Sequence, residues 1–293
     1  MRDAGLPTCP AYRRRVGLVR AFALVAVLAL AACASAAPAH GDVPARIVSL
    51  IPSLTEDLFA IGAGASVVGV SAFTDYPKAA AALPVVATFA SADAERIVQL
   101  HPDVVVGIPA QAAPAADVRR AGIRTILLRD DGFEDIFRDI EALGLLTGRL
   151  DAARALNDQL RARTTALLHT VRKQARRPRV FVVLGAAPIY TVGASSYIGK
   201  LIDLAGGTDA AGISDAYGAY SAEALLAAQP DVLVADPTVQ LQSVLDRPPW
   251  NALRAVREHR IAYLPDPAIL ERPGPRYNDG LAWLIATINA THG

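Results

Sequence analysis

From residue 46 onward the hydrophobic and polar positions follow two rhythms in turn. Short β-branched runs, apolar on both faces, read as buried strands: "RIVSLI" (46–51), "VVGVSAF" (67–73), "DVVVGI" (103–108), "RTILL" (124–128), "RVFVVLG" (179–185), "DVLVAD" (231–236) and the end of "ALRAVREHRIAYLP" (252–265). Between them, apolar residues return every three or four positions. That period predicts helices over 52–64, 94–100, 115–122, 131–146, 198–207, 222–228 and 280–290. Ser53 and Glu56 have capping-box spacing, Asp93 and Ser221 are placed as N-caps, and Asp130 or Asp131 would cap the helix ending at Leu146. Strand–helix alternation of this kind builds a mostly parallel sheet. One stretch breaks the rhythm. Residues 149–177 hold no helix breaker, and Leu150, Ala153, Leu156, Leu160, Thr164, Leu167 and Val171 recur at helical steps. This predicts one amphipathic helix of about 40 Å at 1.5 Å per residue, ended by Pro178.

The two sides of that helix repeat each other. "ERIVQLHPDVVVGIP" (95–109) and "EALLAAQPDVLVADP" (223–237) align without a gap at an offset of 128, and the flanking elements agree. Chance repetition of helix, Pro-Asp and valines in a βα protein would account for one such pair, but the agreement of the flanking elements on both sides favours duplication. The fold class expected is α/β: two Rossmann-like α/β lobes (45–148 and 178–293) joined by one long α-helix (149–177), with a ligand cleft between the lobes, a favoured place for a small molecule.

The N-terminal residues follow a different logic. Arg13, Arg14, Arg15 and Arg20 precede the apolar run "AFALVAVLALAAC", too short for a stable span and flanked like a secretory signal. It ends in Leu30-Ala31-Ala32-Cys33, which is similar to a bacterial lipoprotein box. Residues 1–33 are therefore expected to be a signal peptide with lipidation at Cys33, and 34–44 a linker; an ordinary signal that discards Cys33 is the other reading. Acyl chains on Cys33 would hold the protein to a membrane surface. The two cysteines, Cys9 and Cys33, both lie in this region, so the mature chain would carry no disulfide. The whole chain has 29 basic and 28 acidic side chains; removing five Arg and one Asp with residues 1–33 leaves 24 and 27, a net charge of −3. No basic stripe for nucleic acid remains. Arg172, Lys173, Arg176, Arg177 and Arg179 read as a solvated helix end.

Together with "RIVSLIPSLTEDLFAIGAG", "VVGVSAFTDYP", "SAEALLAAQPDVLV" and "ERPGPR", these features resemble the substrate-binding proteins of ABC importers with a single helical backbone, most of all those for cobalamin. The resemblance covers about residues 44–290. It implies an exported, monomeric protein, periplasmic or at the cell surface, that delivers cobalamin or a related corrinoid to a permease dimer, with no cofactor and no catalysis. It implies that Glu95 and Glu223, one per lobe, dock on permease arginines; the helix dipole alone would also favour Glu at either place. It implies that Phe73, Phe89, Ile108, Tyr190 and Tyr217 line the cleft, with the two tyrosines in loops, and that Arg272, less so Arg276, faces ligand oxygens. Core packing is the plain alternative for the aromatics. Tryptophans common in cobalamin binders are missing here, and the acidic residue expected before "ERPGPR" is Ala268 in register, with Asp266 nearby.

Haem or a ferric siderophore is the alternative ligand. Haem would need Tyr190 or Tyr217 on iron, since His40, His101, His169, His259 and His292 are poorly placed for the cleft. The alternative from another class is an enzyme or chelatase acting on a tetrapyrrole. No phosphate loop, HExxH or GxSxG is present, "DDGFED" (130–135) reads as a solvated acidic turn, and no metal-ligand spacing occurs.

Overall fold

The computed structural model describes residues 43–130 and 132–291. The buried β-branched runs form two parallel sheets. The first orders its strands β3-β2-β1-β4-β5, with β1 Ile47–Ser49, β2 Val67–Ser71, β3 Val85–Ala87, β4 Val104–Gly107 and β5 Thr125–Leu127. The second is β12-β11-β6-β9, with β6 Arg179–Val183, β9 Thr208–Asp209, β11 Val232–Ala235 and β12 Ile261–Tyr263. β1, β4 and β11 are buried throughout, and β6 from Val180 onward, which accounts for their largely apolar sequences.

The repeated phrase is one structural unit used twice. In the first lobe helix α2 (Ala94–Gln99) leads into β4; in the second, the helix Ala222–Ala228 leads into β11. Each repeated Asp then does the same work. Asp103 accepts the backbone N–H of Arg46 at 2.9 Å, and Asp231 accepts that of Arg179 at 2.8 Å. Each aspartate thus pins the start of its lobe's first strand to the start of the neighbouring central strand. The residues before the repeated prolines, His101 (φ 46°) and Gln229 (φ 38°), share a left-handed turn that ends the helix.

The connecting helix, Leu150–Leu168, is shorter than its sequence period predicts: 19 residues, about 28 Å. The chain leaves it where Thr170 turns its hydroxyl onto the Leu167 carbonyl (2.7 Å) and Arg172 N–H donates to Asn289 Oδ1 (3.1 Å). Val171 keeps the apolar period because it packs on the core, not because the helix continues. The basic cluster beyond is no solvated helix end. Arg176 binds the buried Asp231, and Arg177 donates to Asp203 Oδ1 and to the carbonyls of Asp203 and Gly207.

Both ends of the connector are fixed. Toward the first lobe it packs on Asp135–Leu146 at Gly144, where a Cβ would lie 2.5 Å from that of Ala153. Toward the second, Thr164 bonds the Tyr277 hydroxyl (2.6 Å), and Asn278 Nδ2 donates to the Leu160 carbonyl (2.9 Å). Between the lobes, the Phe133 ring meets Phe137 (5.7 Å) and Tyr277 (5.0 Å) edge-on and stacks on Tyr197 (6.5 Å). One apolar core runs through both sheets, and the two lobes belong to a single compact unit.

Three local expectations change. Helix α1, Pro52–Ala60, starts at a proline after Ile51 with no side-chain cap; Ser53 and Glu56 form no capping box, because Glu56 is taken by arginines of the other lobe. The helix ending at Leu146 begins at Asp135, later than a cap at Asp130 or Asp131 would place it, and the Asp135 carboxylate accepts the Gly132 N–H (3.0 Å). Tyr190 and Tyr217 lie on strands, not loops. Gly185–Ala186 (β7), Ile189–Val192 (β8) and Tyr217–Ala219 (β10) form a small antiparallel sheet ordered β10-β8-β7. Asp131, Cys33 and the signal region lie outside the described residues.

Candidate functional site

The C-terminal ends of both parallel sheets face a cleft of about 620 Å³. This is where open α/β sheets take ligands. The first lobe supplies Leu50 and Ile51 after β1, Ala72, Phe73 and Asp75 after β2, and Phe89 after β3; the second supplies Asp236 after β11, and Asp266, Glu271 and Arg272 after β12.

The floor is an ion-pair network between residues far apart in sequence. Glu56 on α1 is buried. Its Oε1 accepts from Arg272 Nη1 (3.0 Å) and Arg276 Nη2 (2.9 Å), and its Oε2 from Arg276 Nε (2.8 Å). The outer donors reach further: Arg272 Nη1 to Asp75 Oδ1 (2.6 Å), Arg276 Nη1 to Asp266 Oδ2 (2.8 Å). The Arg276 guanidinium also covers the Tyr76 ring at 4.2 Å. The hydrogen bond and charge of Glu56 raise Arg276 well above its ordinary range. Against the opposing effect of burial, Arg272 holds the Asp75 carboxyl below the usual range.

Arg272 therefore binds protein rather than standing open to a ligand. Its Nη2 donates to the Phe73 carbonyl at 2.7 Å. Phe73 sits at φ 64°, a left-handed backbone that costs a bulky residue on the order of 1–3 kcal/mol. The same turn leaves the Phe73 ring 85% exposed, with Phe89 63% exposed across the cleft wall. Two bare phenylalanines at one mouth are not core packing. Tyr190 and Tyr217, each 42% exposed, stand on the small antiparallel sheet. Partial desolvation, with the charges of Asp130 and Glu271 nearby, pushes the Tyr217 hydroxyl up to about 12. Neither tyrosine is among the residues lining the cleft described above, nor is Ile108, which is 5% exposed and packs in the core beneath β4.

Glu95 and Glu223 stand exposed in first helical turns, after N-caps that accept backbone N–H groups: Asp93 from Arg96 and Ser221 from Ala224, both at 3.0 Å. Both helices start at the ends of their lobes that carry the cleft. His101 and His259 lie at the opposite, N-terminal ends of the strands. Among the described residues no group of three or more His, Cys, Asp or Glu is arranged to hold a metal ion, and no helix is long and apolar enough to cross a membrane.

Sequence reasoning missed Glu56. Its only local signal, an acidic residue three after a serine in a first turn, pointed to a cap. Buried beside it, Asp57 is raised well above its usual range by burial and by the charges of Asp139 and Glu56, and one of its carboxyl oxygens has no hydrogen-bond partner.

A two-lobed α/β body with a helical connector and a cleft at the sheet ends defines a solute-binding architecture. Residues 47–268 match the periplasmic binding protein family, and the chain belongs to it. An ABC transporter substrate-binding lipoprotein of Bacillus subtilis is 29% identical over 84% of this chain and 80% of its own length. A vitamin B12-binding protein of Vibrio parahaemolyticus is 29% identical over 79% and 84%. Among solved structures, a periplasmic haem-binding protein of Roseiflexus aligns with TM-score 0.76 and 29% identity, covering 84% of this chain and 99% of that one. The periplasmic vitamin B12-binding protein of Vibrio cholerae aligns with TM-score 0.73 and 26% identity, covering 85% and 98%.

Proposed function

We propose that this protein is the extracytoplasmic binding component of an ABC importer for cobalamin or a related corrinoid. It works by binding and release, as the solute-binding proteins of its family do, and not by turnover. In this reading residues 1–33 are removed as a signal, Cys33 carries the lipid, the linker 34–44 reaches the body, and the lobes (45–148 and 178–293) dock on a permease dimer through Glu95 and Glu223. Phe73, Phe89, Tyr190 and Tyr217 meet the ligand.

The carrying observation is the pair of exposed phenylalanines in a cleft where Arg272, the one lining cation among the described residues, is already held by Glu56, Asp75 and the Phe73 carbonyl. Flat, wide aromatic surface suits a macrocycle. The carboxylates of haem or of an anionic ferric siderophore would find no uncommitted lining guanidinium among the described residues. Haem remains the second reading because the family fold is shared with a haem binder. Tyr217 as an iron ligand would have to ionise against a hydroxyl pushed up to about 12. Titration calorimetry with cyanocobalamin, cobinamide, haemin and a ferric siderophore tests the reading. A corrinoid is expected to bind one per chain. Haemin binding with a charge-transfer band that vanishes in Tyr190→Phe or Tyr217→Phe, and no corrinoid heat at micromolar protein, would replace corrinoid by haem.

A further inference from the structure

The cleft is rich in carboxyls. Asp75, Asp236, Asp266 and Glu271 line it, and Glu56 lies beneath; among the described residues at the cleft these five face the guanidiniums of Arg272 and Arg276, a net charge of −3 with every group ionised. Pairing does not distribute this evenly. Both arginines turn inward to Glu56, while their outer partners Asp75 and Asp266 reach solvent on the cleft side. Asp236 spends its oxygens on the backbone N–H and hydroxyl of Thr238, neutral donors that leave its charge in place. Glu271 has no cation strong enough to offset its surroundings: partial desolvation and the charge of Asp236, outweighing Arg272, push it up to about 7. Walls of low dielectric on both lobes concentrate such a field over the space between them. The exposed Phe73 and Phe89 rings add faces that attract cations.

A corrinoid changes its charge at the cobalt, the nucleotide phosphate of a cobalamin being a fixed negative charge. Exchanging cyanide for water on the metal raises the net charge by one and leaves the ring and its amides unchanged. We infer that the cleft selects its corrinoid by charge, taking cationic corrinoids with water on cobalt in preference to neutral ones with cyanide there. The inference rests on the corrinoid reading above. The preference is a field effect over several ångströms, with no bond from protein to cobalt.

The test uses the full chain and two pairs of ligands that differ by one axial group: aquacobalamin against cyanocobalamin, and aquacyanocobinamide against dicyanocobinamide. Affinities are measured by calorimetry at low and high salt, with the absorption spectrum of each complex recorded. The cationic member of each pair is expected to bind about tenfold tighter at low salt, with the gap falling to about twofold at 0.5 M salt, where screening acts over only a few ångströms. Asp236→Asn with Glu271→Gln should narrow the low-salt gap severalfold, read as the ratio of affinities within each pair, and an unchanged ratio would overturn the inference. Equal affinities within each pair would overturn charge selection and leave the corrinoid reading standing. A spectral shift on binding that marks loss of the axial water would assign the preference to coordination and overturn it too. Haemin binding with no corrinoid binding would overturn both readings together.

Discussion

Glu56→Gln tests the ion-pair floor directly. The substitution keeps the shape of the side chain but removes its charge and turns one acceptor into a donor. Two of the three hydrogen bonds, from Arg272 Nη1 and Arg276 Nη2, end on Oε1, and the third, from Arg276 Nε, ends on Oε2. An amide can satisfy one oxygen's worth of these and must point N–H at a guanidinium with the other. The arginines are largely buried, and their remaining partners, Asp75 and Asp266, are largely in water and screen poorly as substitutes. Removing one partner of a buried ion pair costs about 3–5 kcal/mol. With Asp75 and Asp266 still in place, a loss of about 3 kcal/mol is expected. At this chain length that lowers the melting temperature by roughly 6–12 °C.

The right control is a surface pair at the same lobe boundary. Arg163 Nη2 meets Asp279 Oδ1 at 2.6 Å with both side chains about half exposed. Arg163→Ala should cost no more than about 1 kcal/mol. Urea unfolding of the two variants separates a buried network from an exposed one. Amide exchange gives an independent readout: releasing Arg272 frees the Phe73 carbonyl, so exchange across residues 72–76 should speed up in Glu56→Gln and not in Arg163→Ala. A Glu56→Gln midpoint within the error of wild type, with unchanged exchange at 72–76, would refute the clamp.

Cys33→Ser should move the protein from the membrane to the soluble fraction after export; a wild type that is already soluble and takes up no labelled palmitate would exclude the anchor. Glu95→Arg with Glu223→Arg should leave ligand affinity unchanged and reduce uptake more than either single change, and undiminished uptake would remove them from docking. Tyr217→Ala should weaken corrinoid binding by roughly 1–3 kcal/mol, measured by calorimetry. Asp139 is held at about 8 by burial, with the charges of Asp135 and Asp130 adding. Its folded value exceeds its unfolded one, so the stability it contributes is complete below about pH 4 and is lost as pH rises toward 8. Asp139→Asn should therefore gain on wild type across that range, by on the order of a few kcal/mol at the upper end; parallel urea midpoints at pH 5 and pH 8.5 would contradict this.

What the sequence made legible was local. β1, β4, β6 and β11 announced themselves because strands buried on both faces are apolar at nearly every position. Asp93 and Ser221 announced their helices because a cap needs one oxygen three residues before the N–H it accepts. Even the duplication was local in this sense, a phrase of fifteen residues written twice. The errors share one cause. The connector was read ten residues too long because Val171 keeps the helical period while serving a tertiary contact instead. Strands β7 and β10 are two and three residues long, below the length at which alternation can be seen. Arg176, Arg177 and Arg179 looked like a helix end because the acids and carbonyls they bind lie 26 to 55 residues away.

The cleft lies at the far end of this scale. Glu56 meets Arg272 and Arg276 across 216 and 220 residues, and Phe73 is turned outward by a hydrogen bond spanning 199. No periodicity reports a pairing at that distance, and the short-range rule that did apply assigned Glu56 to a cap. The resemblance brought Phe73 and Arg272 to notice as separate cleft residues. Physically they are one device: the arginine that a ligand oxygen was expected to meet is the group that fixes the phenylalanine a ring would meet. On the proposed reading, recognition in this cleft is set less by donors offered to the ligand than by aromatic faces presented and charge left over. Under the charge-selection inference the weight of specificity shifts onto Asp236 and Glu271, which sit in the repeated phrase and at the head of "ERPGPR" but carried no assigned role there.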